Sequence, residues 1–436
     1  MTFIGRHYCK FTTTNINSQP LHTCFARLPI AFRIKFDLNF IKLLLTSVTY
    51  FEMRLTFSIL ILTWLCLVAV LSAALADHLT LSISGQQVEL DGEILIEAVD
   101  KSLYFRQNTG KIWFVKPEQI VSKVDDDVAT APISKDDLGA QLLKELPDGF
   151  RIYQTKHYVI AYQNEVDFAR WIGGLYESRL YHAFEKFWEK RKKYELDEPR
   201  YPLVAIVFGS RAQYMQHVER ELGPGQAAIA YYNLQTNRIT MFDLTADQRS
   251  SNPTNKNNRQ MEEILRSPAA VRMVATIIHE ATHQLIFNRG MQTRFAESPL
   301  WFNEGLAMYF EAPNLKARRG WTGPGQIFDE RLIQFKNDLA GRDGPKSLRM
   351  LISSDKRLRD PETAASGYAE AWAFTHFLLN RKADQFVKYL KFMAGKKVLV
   401  EDTPEKRLED FHQFFGKSLK ELDAEFIRYV RKLKLN

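Results

Sequence analysis

The stretch VRMVATIIHEATHQLIFN, residues 271–288, governs how everything around it is understood. Val274, Ile277, Ile278, Leu285 and Ile286 recur at helical spacing, so the segment predicts a buried helix. Into that apolar pattern the chain inserts His279, Glu280 and His283. Residues four apart on a helix are neighbours, which puts both imidazoles on one face. A buried helix has little reason to carry such groups unless they have partners. Two neutral imidazoles bind Zn²⁺ as a pair, and the HExxH order sets Glu280 beside the metal-bound water.

The next segment supports this. LWFNEGLAMYFE, residues 300–311, predicts a second amphipathic helix and offers Glu304 as a third, carboxylate ligand. Two histidines and one glutamate leave a fourth position open for water, the arrangement of catalytic zinc. The plainer account of Glu304 is a solvated carboxylate at a helix start, favoured by the dipole. The pairing of the two motifs favours the ligand. Such a set permits metal-assisted hydrolysis: a single Zn²⁺ lowers the pKa of its water, and Glu280 takes the proton and passes it to a leaving amine.

With HEATHQ followed by WFNEGLAMYFE, the chain resembles the gluzincin metallopeptidases, and in particular the DUF1570 group of exported bacterial proteins. The resemblance covers residues 150–436 and is most specific over 270–312. It implies an α+β, zincin-like metallopeptidase domain: a mixed sheet lobe, the active-site helix and a helical C-terminal lobe. One position departs from the pattern. Many gluzincins carry an aspartate four residues past the third ligand to orient a histidine, and here Met308 stands there, with Glu311 the nearest substitute. Similar families place a tyrosine or histidine donor for the developing oxyanion on a later helix. In SGYAEAWAFTHFL, residues 366–378, that donor would be Tyr368, with His376 less favoured; the plainer account makes Tyr368 and Trp372 core contacts.

Upstream, FRIYQTKHYVIAYQ predicts a strand or hairpin, residues 167–194 a long amphipathic helix, PLVAIVFGS a buried strand and RAQYMQHVERELG a helix closed by Gly223. NRITMFDL, residues 237–244, is either the sheet edge that pairs with an extended peptide or an internal strand. An Asn-rich stretch, Ser251 to Gln260, predicts a surface loop, and the C-terminal tail predicts one or two amphipathic helices. Nothing resembles the GxMEN segment of aminopeptidases, and AAIAYYN lacks its glutamate, which favours an endopeptidase.

Before this domain (146–436), residues 77–124 break into short alternating runs at about ten-residue spacing, predicting a small all-β, SH3-like module. Trp113 and Phe114 must face opposite sides of it. It carries no catalytic set, so its expected role is an adaptor for an envelope-associated partner. An acidic, Ala/Pro-containing linker is expected over 125–145.

The front of the chain differs from the rest. Met53-Arg54, an apolar run and Ala74-Leu75-Ala76 form a signal peptide over 53–76, predicting a secreted or periplasmic protein cleaved near Ala76. The alternative is a membrane anchor formed by an uncleaved 55–75. Residues 1–52 have no sustained period and are expected to be a non-native or transit-type extension. This leading segment, 1–76, holds all three cysteines and seven Lys/Arg against two Asp/Glu, so most of the formal +8 lies in it. The remainder, with 52 basic and 49 acidic residues and no cysteine, has neither a disulfide framework nor a basic surplus for nucleic acid. KFWEKRKKY, residues 186–194, is a basic cluster with interleaved aromatics, but its acidic neighbours speak against nucleic acid. The expectation is an exported zinc peptidase acting on peptides or proteins; the alternative is a catalytically weak binding or scaffold protein of the envelope. Oligomeric state is not encoded in any motif.

Overall fold

The computed structural model describes residues 76–126, 130–225, 228–246, 263–265, 267, 270–314 and 321–435. The expected extension (1–52), nearly all of the expected signal segment (53–76), and the Asn-rich stretch lie outside the described residues. Among the described residues no helix is long and apolar enough to cross a membrane.

Strands β1 (Ala76–Ile83), β2 (Gln86–Glu97), β3 (Leu103–Gln107), β4 (Ile112–Val115) and β5 (Ile120–Asp126) form an antiparallel sheet in the order β4-β3-β2-β1-β5. Ser84 and Gly85, at φ 52° and 82°, make the β1–β2 turn. Such a primed turn matches the right-handed twist of the strands it joins. A bulge between Ile94 and Ile96 interrupts the β2 register, the device that bends a long strand. Leu79, Leu81, Leu90, Leu103, Phe105 and Val115 give this sheet a core of its own. Trp113 packs against that core, while Phe114 meets the rings of Tyr104 and Phe295, each at 5.1 Å.

Most of the described residues in the linker expected over 125–145 form regular structure instead. Strand β5 runs to Asp126, and Lys135–Glu145 forms helix α1. The acidic composition that suggests a linker is helix-start chemistry. Ser134 accepts a hydrogen bond from the Asp137 amide, and Asp136 and Asp137 occupy the first turn, where the helix dipole favours negative charge. Leu138 and Leu142 then join the main core.

That core lies beneath a second sheet, in the order β6 (Arg151–Gln154), β7 (Tyr158–Tyr162), β8 (Leu203–Phe208), β10 (Arg238–Phe242), β9 (Ala230–Asn233). The three central strands are parallel, and each edge strand is antiparallel to its neighbour. β7, β8 and β10 are buried along their whole length, as strands covered on both faces must be. NRITMFDL is thus the internal strand β10, and the edge next to it is the shorter β9. A continuous helical run over 166–191, here α2, crosses from β7 to β8; it has two π-helical stretches, Tyr176–Tyr181 and Lys186–Arg191. Helix α3 (Arg211–Leu222) starts at the Ser210 cap and stops at Gly223, φ 91°.

Helices complete the α+β architecture: α4 (Val271–Asn288), α5 (Leu300–Glu311), α6 (Asp329–Asp338), α7 (Gly344–Ser353), α8 (Ala364–Arg381), α9 (Ala383–Ala394), α10 (Pro404–Phe415) and α11 (Leu419–Arg431). One apolar cluster runs from α1 to α11. Helix α5, expected to be amphipathic, is buried on every face. Its polar residues Asn303, Glu304 and Glu311 therefore require partners inside the protein.

Candidate metal centre

Helix α4 is fastened to the sheet by side chains that its apolar spacing does not predict. The Gln284 amide donates to the carbonyls of Val204 (3.1 Å) and Asn237 (2.9 Å), and Asn288 and Asn237 exchange a reciprocal pair of bonds at 2.8 and 2.9 Å. From the other side, the Tyr176 hydroxyl donates to the Ile277 carbonyl. Helix α5 is set by α8. A Cβ at Gly305 would collide with the Thr375 side chain and stand 3.2 Å from the Ala371 carbonyl. Only glycine lets the two helices approach this closely, immediately beside Glu304. The first amide of α5, at Leu300, donates to Asp355 at 2.9 Å, and Arg407 of α10 holds Asp355 and Glu297 together.

With the two helices so placed, three donor groups converge. His279 Nε2 lies 3.3 Å from Glu304 Oε2 and 3.1 Å from His283 Nε2, and His283 Nε2 lies 3.7 Å from Glu304 Oε1. The imidazole planes stand at 78° with centroids 4.7 Å apart. The three donor atoms all fall within 4.8 Å of one another, a group that could hold a metal ion. Behind it, His279 Nδ1 donates to Glu311 Oε2 at 2.7 Å, which fixes the ring with Nε2 turned toward Glu304 and His283. Arg331 of α6 pairs with the other Glu311 oxygen. Glu311 is seven residues past Glu304, two turns on, and so shares its face. It does for His279 what a carboxylate at 308 would do elsewhere, and Met308 is fully buried apolar core.

Residues 273–400 match the family described as "Protein of unknown function (DUF1570)". No curated protein matches the chain. The match takes in α4, α5, α6 and α8, and hence His279, Glu280, His283, Glu304, Glu311, Arg331 and Tyr368.

Burial lowers the basicity of His279, but the Glu304 and Glu311 carboxylates more than reverse this and hold it up at about 10. His283, buried and next to a cationic neighbour, is pushed down to about 4. Burial raises Glu304 and Glu311, yet His279 and His283 hold the first below the ordinary carboxylate range and Arg331 the second. A cation bound among these donors would displace the proton that the two carboxylates hold on His279. Glu280 is pushed up to about 7 by burial, with His279 opposing and Glu304 adding to the rise. Its Oε2 accepts the Tyr232 amide of β9 at 2.8 Å, a contact that the sequence reading misses because nothing in AYYN marks it.

Strand β9 is itself anchored from behind. Glu221 of α3 accepts from His217, from the Tyr231 hydroxyl and from Asn233 Nδ2. Tyr368 is buried, and its hydroxyl is raised well above its ordinary range by burial and then by the Glu304 and Glu280 charges, so it stays a proton donor near them. His376 has other employment. Its Nε2 donates to the Gly325 carbonyl (3.3 Å) and its Nδ1 accepts from the Tyr429 hydroxyl (2.7 Å). That pins the neutral ring between the loop after α5 and the last helix.

Proposed function

We propose that this chain is an exported, zinc-dependent peptidase of the gluzincin kind, with His279, His283 and Glu304 as the zinc ligands and Glu280 as the general base. The observation that carries this reading is the convergence of two Nε2 atoms and one carboxylate, with the acid Glu280 next to His279 in the chain and electrostatically coupled to His279 and Glu304. The donor set fits the ion: two imidazoles and one carboxylate are the mixed set of catalytic zinc, and a structural site would draw on thiolates. When bound, zinc supplies Lewis acidity, polarising a carbonyl and making a water easier to deprotonate.

The chain's own residues supply the rest. The Tyr232 amide fixes Glu280 Oε2, leaving the other oxygen to take a proton from water and return it to a leaving amine. Tyr368 donates to the oxyanion that develops. Because the Tyr232 amide points away from β10, the Tyr232 carbonyl and the Ala230 backbone lie on the same outer edge of β9. An extended peptide adds there as a further strand. The front sheet belongs to this reading as an SH3-like module, and the N-terminal leader as the export signal.

The test is a peptide-library digest with wild type, Glu280→Gln and a chelator-treated sample, each assayed for zinc. Cleavage by wild type alone, with zinc kept by Glu280→Gln, is the expected result. Zinc retained with no cleavage beyond that of Glu280→Gln would leave a zinc-holding binding protein of the envelope. Undiminished zinc affinity in Glu304→Ala would remove Glu304 from the ligand set.

A further inference from the structure

The β module was expected to be an adaptor with its own partner, but its closest attachments lie elsewhere. The turn after β9, Leu234 to Asn237, is gripped from two sides. From within, Asn288 and Gln284 of α4 hold Asn237, whose Oδ1 also accepts the Tyr232 hydroxyl at 2.7 Å. From outside, the backbone amide of Ile112, the first residue of β4, donates to the Gln235 carbonyl at 2.8 Å. Arg294, in the segment joining α4 to α5, then ties the two together. Its Nη1 donates to the Leu234 carbonyl (3.0 Å) and its Nη2 to the Gly110 carbonyl of the β3–β4 turn (2.7 Å). The Tyr104 hydroxyl of β3 donates back to the Arg294 carbonyl, and Phe295 packs on Tyr104 and Phe114. One guanidinium thus spans the β module and the end of the edge strand.

We infer that the β module is a fixed wall of the catalytic cleft, and that Arg294 is a positioning residue that holds β9, and with it the Tyr232 amide, against Glu280. The chemistry follows from the geometry. Charge-assisted bonds to two backbone carbonyls fix relative position without touching substrate. Four residues separate Gln235 from Ala230, so a loosened turn loosens the whole edge. The inference rests on the peptidase reading only in its consequence for substrate; the attachment itself can be measured without turnover.

The experiment uses the full zinc-loaded chain as wild type, Arg294→Ala, Arg294→Lys and the milder Tyr104→Phe. Backbone hydrogen exchange is followed over 230–237 and, as an internal control, over 271–288. In Arg294→Ala the first segment is expected to exchange roughly tenfold faster, as loss of charged hydrogen bonds implies, with 271–288 and zinc content unchanged. Arg294→Lys restores most of the protection, and Tyr104→Phe loses severalfold. On a peptide substrate KM rises and kcat falls together, because a loosened edge strand both binds the peptide less well and no longer fixes Glu280. Unchanged exchange over 230–237 in folded Arg294→Ala overturns the inference; if that variant does not fold, unchanged exchange in Tyr104→Phe does so. Faster exchange alongside a wild type that cleaves nothing removes the peptidase reading and leaves the wall standing.

Discussion

Glu311 shows how a single side chain substitutes for an expected one at a different position. A carboxylate four residues past Glu304 is absent from the sequence, and Glu311 reaches His279 Nδ1 from a turn further on, steadied by Arg331. The Glu311→Gln variant keeps the side-chain shape but loses the charge that fixes the ring. Zinc affinity is expected to fall on the order of tenfold or more, measured by competition with a chromophoric chelator, with the circular dichroism spectrum unchanged. Glu311 stood out in the sequence only as the nearest acid. Arg331 and Tyr232 could not be found there, because each acts across more than one element of tertiary structure. Glu221 makes a pH prediction at the same scale. Burial raises it, but the bonds from His217 and Tyr231 win and hold it below its ordinary 4.5. A carboxylate depressed in the folded state adds stability above the unfolded value and loses it as pH falls through the folded one. Between pH 5 and pH 3, wild type should therefore lose more of its urea-unfolding free energy than Glu221→Gln.

Elements built from apolar periodicity were the most legible. The boundaries of α4 and α5 coincide with the segments that the pattern delimits, because both are long apolar runs with clear ends. Two readings failed at this scale for opposite reasons. Lys135–Glu145 looks like a linker because its first turn is acidic, and that acidity is its cap. Helix α5 looks amphipathic because Glu304 and Glu311 are polar, yet both turn inward to the histidines. The α5–α8 crossing gives a direct test. Gly305→Ala inserts a methyl against Thr375 and should cost about 1–3 kcal/mol in urea unfolding, with zinc affinity reduced because Glu304 moves with the helix. Met308→Asp places a carboxylate in a position with no exposure to water. It should destabilise by several kcal/mol, roughly the cost of burying an unpaired charge, and should not strengthen metal binding.

On the scale of the whole molecule, composition bounds the problem but leaves the docking of the two sheets undetermined. The front sheet has a separate apolar core, and local sequence patterns gave it independence. Its attachment depends on backbone carbonyls at Gly110, Leu234 and Gln235, groups that every residue has and that no motif can advertise. Despite two cores, the described chain should unfold as one unit. Trp113 fluorescence, isolated by replacing the other tryptophans only where they are tolerated, and far-ultraviolet circular dichroism should give coincident urea transitions. A separate early loss of the Trp113 signal would show the front sheet melting alone.

The clamp at the start of α5 has a further consequence, for the order in which the chain is made. Every donor of the metal centre has left the ribosome once residue 304 is out, yet the Leu300 amide is held by Asp355, and Asp355 by Arg407. Tyr429, which secures His376 over the loop after α5, comes later still. During synthesis the ligands are thus present for more than a hundred residues before the last of the scaffold that braces them. In that interval the three donors of the candidate metal centre exist without the bracing that Asp355, Arg407 and Tyr429 give them in the folded chain.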